Sequence, residues 1–280
     1  HPLEESGRYA LAWSLVSLGR YAEGRKIFEE ILLNYPATSL SDPIFWGVLK
    51  TYLGEGEVEK AIQFYQRFLS TILLSPWAEQ CLFDIGQYHF KKREYAQATS
   101  IFRQFLKTYP ENDLQEWVFF MLGESQFNQK DYGGAIDAYR QVLWLKRRAR
   151  FEDRVYLRLG YSHLLLKQYD EAIGYWERLL REFPEHPEKK EILYWLAETH
   201  LFKEDYRNAV SYVDQLKGDP VFYPRGLTSL GWYHFQRQEW KEANHYFLKI
   251  LSEFPDYRAS PPISLLIGQS YLNQNNYGQA

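Results

Sequence analysis

Between Trp77 and Lys91, apolar side chains return every three or four residues, the spacing that lines one face of an α-helix. Pro76 stands where an N1 proline is tolerated, behind the N-cap candidate Ser75. A short polar turn, Lys92-Arg93-Glu94, leads into a second amphipathic run from Tyr95 to about Thr108. Tyr109-Pro110 ends that run, because proline has no amide hydrogen and restricts the residue before it. The pattern predicts an antiparallel helix pair.

The same alternation recurs along the chain. A small residue is followed four positions later by a large one at Gly24/Phe28, Ala61/Tyr65, Ala98/Phe102, Ala135/Tyr139, Ala172/Trp176, Ala209/Val213 and Ala243/Phe247, with Ala280 in the same phase. The small residues step by 37 except between Ala209 and Ala243, where the step is 34. Tyr21, Tyr95, Tyr132, Tyr169, Tyr206, Trp240 and Tyr277 stand three residues earlier and open the second helices. Tyr35-Pro36, Tyr109-Pro110, Phe183-Pro184 and Phe254-Pro255 close them. Gly86, Gly123, Gly160, Gly231 and Gly268 lie twelve residues before the small position, with Ala12 and Ala197 substituting. Glycine inside a helix costs about 1 kcal/mol against alanine, so its recurrence predicts close helix–helix approach. A period of this size marks stacked supersecondary units sharing one continuous core. Function is then expected on an extended surface.

Composition narrows the classes. Hydrophobic residues make up 45% and charged residues 25%, ordinary for a folded chain, whereas aromatics reach 18%. Most rings must fill space between helices, which leaves some for a working surface. A net charge of −3 gives no overall field for nucleic acid. A single cysteine, Cys81, excludes an intrachain disulfide and a cysteine-based zinc site. No apolar run approaches the roughly 18 residues that read as a membrane span. The start at His1 has neither the basic region nor the apolar stretch of a signal peptide.

The pattern L-G-x-x-[YH]…Y-x-x-A-x-x-x-[FYW]…P resembles the tetratricopeptide repeat. The resemblance implies an all-α fold, a right-handed superhelical solenoid of antiparallel helix pairs in one array, 1–280. Its repeats would span 4–38, 42–75, 76–112, 113–149, 150–186, 187–220 and 221–257, with 258–280 truncated. Repeat two departs from the family with Leu49 at the glycine position and no closing proline. Repeat four has Arg147 in place of that proline, and repeat six has only Val213 at its large position. The family's usual period is 34, and the additional residues fall after the closing proline, as in Pro36 to Pro43. Asp42-Pro43 reads there as an N-cap followed by proline, extending a first helix. This layout resembles the tetratricopeptide proteins of bacterial cell envelopes, of the outer-membrane assembly and Tol–Pal-associated types. It implies a periplasmic or envelope-associated scaffold, with a cytoplasmic address as the alternative.

Chemistry is sparse. His89, His163, His200 and His234 share one repeat position. Metal binding needs ligands within about 2 Å of one ion, and equivalent positions in adjacent repeats lie roughly 8–10 Å or more apart. They are expected to send a polar tip to the turn. Cys81 reads as a small core residue. Asp84, Glu124 and Glu198 on first helices read as partner contacts or solvated groups. Known catalytic, phosphate-loop and dinucleotide fingerprints are missing from the sequence, so no catalytic residue, cofactor or metal is assigned.

The resemblance also implies a concave groove lined by first helices. Its stripe falls on Tyr9, Trp13, Trp46, Lys50, Phe83, Gln87, Phe120, Glu124, Leu157, Tyr161, Tyr194, Glu198, Thr228, Trp232, Leu265 and Gln269, with Trp117 and Trp195 close in phase. Chaperone-binding members of the family carry a Lys/Asn/Arg clamp there. Lys50 is the one cation on this stripe, which disfavours a carboxylate-binding adaptor. Aromatics with Gln and Glu between them suit protein or peptide segments with apolar anchors, and stacked rings leave glycans as the alternative ligand. Many of these rings are expected to pack between repeats without meeting any ligand. The basic run Lys146-Arg147-Arg148-Ala149-Arg150 reads as a solvated loop, too local for nucleic acid. Ending inside a repeat predicts that the native chain continues or self-associates through that end.

Overall fold

Helix follows helix in the predicted alternation, and the described residues contain fifteen α-helices and no strand. The structure, a computed structural model, describes residues 2–72, 75–145, 151–257, 262–274 and 278, with the side chains of all of these except 2, 3, 70–72 and 76. Tyr277, Ala280 and the basic run 146–150 lie outside the described residues. The chain divides into two compact units, His1–Ala149 and Arg150–Ala280.

The first unit holds four helix pairs: α1 (Pro2–Ser17) with α2 (Tyr21–Asn34), α3 (Ser41–Glu55) with α4 (Val58–Ile72), α5 (Pro76–Lys91) with α6 (Tyr95–Thr108), and α7 (Gln115–Asn128) with α8 (Tyr132–Leu145). The second holds α9 (Glu152–Leu165) with α10 (Tyr169–Glu182), α11 (Lys189–Phe202) with α12 (Tyr206–Asp214), α13 (Phe222–Gln236) with α14 (Trp240–Glu253), and a last first-type helix, α15 (Ile263–Asn273). Each described opening aromatic is the first residue of its helix. Tyr35, Tyr109, Phe183 and Phe254 are the C-caps, each donating its N–H to the carbonyl four residues back at 2.8 Å.

The turn inside each pair repeats one geometry. The residue two before the opening position has a positive φ, between 59° and 81°, in all seven described turns: Gly19, Gly56, Arg93, Lys130, Lys167, Glu204 and Gln238. The next residue donates back over five positions, as in Glu94 N–H to His89 O at 2.9 Å, which is the Schellman closure of a helix. The four recurrent histidines brace this turn. His89 Nδ1 lies 2.7 Å from Glu94, His163 Nδ1 2.7 Å from Gln168, His200 Nδ1 3.1 Å from Asp205 and His234 Nδ1 2.5 Å from Glu239. Gln126 and Asp131 repeat the bridge in the fourth pair at 3.2 Å.

The recurrent glycines make room for rings. A Cβ on Gly86 would lie 2.5 Å from Phe102, one on Gly123 2.5 Å from Tyr139, one on Gly160 2.1 Å from Trp176 and one on Gly231 2.5 Å from Phe247. In these four pairs the first helix gives up a side chain so that the large residue of the second can lie close against its backbone.

One local expectation changes, and the short step finds its cause. Helix α3 begins at Ser41, so Asp42 and Pro43 sit inside its first turn; Thr38 Oγ1 accepts the Leu40 N–H at 2.9 Å ahead of it. The short 34-residue step reflects an early end to α12, which has 9 residues where most other second helices have 14. There Asp219 Oδ1 accepts the N–H groups of Val221 at 2.9 Å and Phe222 at 2.7 Å, starting α13 promptly.

Candidate functional site

In the first unit, three tryptophans from successive first helices form a ladder. Trp13 on α1 lies 4.9 Å from Trp46 on α3, and Trp46 lies 4.9 Å from Trp77 at the start of α5, centroid to centroid. All three are half-buried. Trp13 is backed by Phe28 at 5.4 Å, and Tyr9 meets Trp13 edge-on at 6.3 Å. Centroid separations of this size are within the range of favourable aromatic pairing.

Asp84 ties the ladder to the helices behind it. Its carboxylate is only 6% exposed and accepts from Trp46 Nε1 at 2.7 Å and from Gln80 Nε2 at 3.1 Å, with Lys50 Nζ at 3.4 Å. Three donors satisfy the buried charge, so Asp84 is an internal anchor where a partner contact or solvated group was expected. Lys50 is committed to the same carboxylate. Gln87 stays half-buried and lines an open cavity of about 400 Å³ with Lys50, Asp84 and Tyr88.

Other stripe positions turn inward. Phe83 is 6% and Phe120 7% exposed, packed on Phe102 at 6.1 Å and Tyr139 at 6.0 Å respectively. Glu124 is buried and accepts the Tyr139 hydroxyl at 2.5 Å, again an internal bond where a partner contact or solvated group was expected. The cause is the same for all three: the large residue of the second helix draws the facing side chain under it. Trp117 remains half-buried beside Phe120 at 6.4 Å.

In the second unit, Tyr161 sits edge-on to Trp176 at 5.3 Å and to Trp195 at 6.2 Å. Tyr161 Oη and Trp195 Nε1 both donate to Glu191 Oε1, at 3.1 and 3.3 Å. Tyr194 packs against Trp195 and Phe222, and the Arg225 guanidinium lies 4.6 Å from its ring centre. Glu198, Thr228 and Trp232 converge on an open cavity of about 630 Å³ between α11, α13 and α15. Burial pushes the Glu198 carboxyl above the usual range, against the opposing pull of Ser229, Tyr194 and Arg225, and its Oε1 is buried without a hydrogen-bond partner.

Sequence reasoning did not find Trp77, Gln80 or the cavity residues Phe202 and Gln236. Trp77 lies outside the phase of the stripe: Trp13, Trp46 and Trp77 precede their small residues by eleven, fifteen and twenty-one positions, so the ladder crosses the repeat obliquely. Burial pushes the Cys81 thiol up, and its side chain is enclosed. Among the described residues no group of three or more His, Cys, Asp or Glu is placed to hold a metal ion, and no helix is long and apolar enough to cross a membrane.

Comparison with known proteins gives two family matches. Residues 7–38 and 154–186 match the tetratricopeptide repeat, and residues 45–141 match the outer membrane lipoprotein family. No curated protein matches the sequence. Among solved structures, a tetratricopeptide repeat protein from Parabacteroides merdae is 15% identical, covering 95% of this chain and 98% of its own, with a TM-score of 0.50. The C-terminal part of a repeat-containing protein from Cytophaga hutchinsonii is 15% identical over 89% of this chain and 96% of its own, with a TM-score of 0.62. A chain of the Naa15/Naa10 structure bound to HypK-THB is 16% identical over 95% of this chain but 39% of its own, with a TM-score of 0.63. At these identities the likeness is one of fold.

Proposed function

We propose that this chain, a tetratricopeptide-repeat protein, is a non-enzymatic scaffold that holds segments of partner proteins against its first helices within a bacterial cell-envelope assembly. The Trp13–Trp46–Trp77 ladder carries the proposal. Half-buried tryptophans fixed from behind present apolar area with little rotamer entropy left to lose on binding, and such rings dominate binding energy where they become desolvated. Tyr9 and Trp117 add aromatic surface within the first unit, with Gln87 as a polar point, and Tyr161, Tyr194, Trp195 and Trp232 supply it within the second, with Glu198. The match of residues 45–141 to the outer membrane lipoprotein family supports the envelope address. The bound protein in the Naa15/Naa10 assembly supports the scaffold role by analogy of fold. Sugar stacking is the weaker alternative, because Trp46 already has two indoles at 4.9 Å, which crowd the space a pyranose ring would need.

Affinity capture from an envelope fraction tests this. The intact chain retains a defined protein, and the double variant Trp13→Ala/Trp77→Ala, checked for unchanged helicity, loses it. Equal retention by both proteins, or retention of purified peptidoglycan in place of protein, would refute the groove.

A further inference from the structure

The cavity between α11, α13 and α15 has an unmet chemical demand. Glu198 brings a carboxylate into it with Oε1 buried and unpartnered. Thr228 gives its hydroxyl proton to Pro224 O at 2.8 Å, so what it offers the cavity is an acceptor. The single Ser229 hydroxyl proton goes to Arg225 O at 3.2 Å or to the neighbouring Glu198 carboxylate, so it is not free for a ligand acceptor. The apolar share of the wall comes from Leu201, Phe202, Trp232 and Leu266. Trp232 is stacked on Phe235 at 5.3 Å and remains 37% exposed, and acceptors beside such a ring suit a cationic donor.

The chain answers the same demand with its own arginines, at two other places and once on the wall of this cavity, where Arg237 is already committed to Glu204. Arg25 lies over Tyr52 at 4.4 Å and meets Glu55 at 2.5 Å. Arg178 lies over Tyr156 at 4.7 Å and meets Glu182 at 2.7 Å. Arg237 lies over Tyr233 at 3.9 Å and meets Glu204 at 3.1 Å. Ring plus carboxylate is thus a repeated arginine seat in this protein. In the cavity the ring is Trp232, 37% exposed, and the carboxylate is Glu198.

We infer that this cavity is an arginine-binding pocket, which takes a guanidinium side chain from a bound protein segment between the Trp232 ring and the Glu198 carboxylate. The planar guanidinium can stack and donate at once, which an ammonium cannot do as well. This deepens the scaffold proposal and rests on it: the pocket supplies a charge-selective point, and the tryptophan ladder of the first unit supplies apolar grip.

The test titrates the full chain, labelled with ¹⁵N at its tryptophans, with Nα-acetyl-arginine methylamide and with the neutral isostere Nα-acetyl-citrulline methylamide. The arginine probe shifts the Trp232 indole N–H resonance saturably, and the citrulline probe binds about tenfold more weakly, the loss expected of one charge-assisted hydrogen bond. Glu198→Gln brings arginine down to the citrulline level while the other indole signals keep their positions. If those signals move, the comparison of the two probes on the unaltered chain decides alone. Equal binding of the two probes, or a response that ignores Trp232, overturns the inference. Neither probe engages Trp13, Trp46 or Trp77, so failure here is distinguishable from failure of capture through the ladder.

Discussion

Glu198 shows what a single side chain contributes at some expense to stability. Burial disfavours its charged form, so its carboxyl titrates above the usual carboxylate range in the folded chain. At a pH below the unfolded value both states are protonated, and the residue contributes no penalty. As pH rises, the unfolded chain ionises first, and stability falls until the folded carboxyl has ionised as well. Glu198→Gln removes that loss. The variant is expected to unfold at higher denaturant than the parent at about pH 7 and at the same denaturant at about pH 4 or below. A parent and variant whose difference does not change with pH would show that burial of the charge is not felt. At the braced histidines each Nδ1 is partnered by the residue five positions on, so that this bond is made within the turn.

At the scale of the element, the unit of construction is a glycine facing a ring. Gly86 lies against Phe102, which is fully buried, and a Cβ there would sit 2.5 Å from the ring edge. Gly86→Ala gains about 1 kcal/mol of helix propensity yet forces the ring off its packing, with an overpacking cost of about 1–3 kcal/mol. Net destabilisation is expected in urea unfolding. Gly174 on α10 is the control, since a Cβ there meets nothing within 4 Å; Gly174→Ala is expected to stabilise by about 1 kcal/mol. If both substitutions stabilise, the glycines do not mark close approach. The departures of the sixth pair follow the same rule. With Val213 in place of a ring, Gly226 of the next first helix approaches it instead, a Cβ there falling 2.9 Å from the valine.

For the whole molecule, neighbours carry the stability. Within the first unit, α1, α2 and α3 enclose one cluster around Phe28, Ile31, Ile44 and Val48, while a second cluster runs from Phe45 through Phe102 to Leu122. A chain of nearest-neighbour interfaces opens locally when one is weakened. Phe28→Ala, a loss of about 3–5 kcal/mol in a well-packed core, is expected to raise amide exchange across α1 to α3 and to leave α5 to α8 protected. Uniform exchange through the unit would instead indicate one cooperative core.

The sequence by itself determined the helices, their pairing and their punctuation. Opening and closing aromatics, small residues and glycines act within one or two turns of chain, and local backbone chemistry is the same wherever the pair sits. It also placed the histidines at the turn, because a five-residue span across a Schellman closure is local. Which stripe residues remain open was decided only by the tertiary structure. Phe83, Phe120 and Glu124 share the phase of Trp46 and Lys50, yet packing against rings from the second helix takes them inside. The ladder through Trp77 and the buried Asp84 beneath it depend on how one first helix is set against the next. Periodicity fixes the face of a helix, but the offset between neighbouring faces is set by side-chain volumes that meet only after folding.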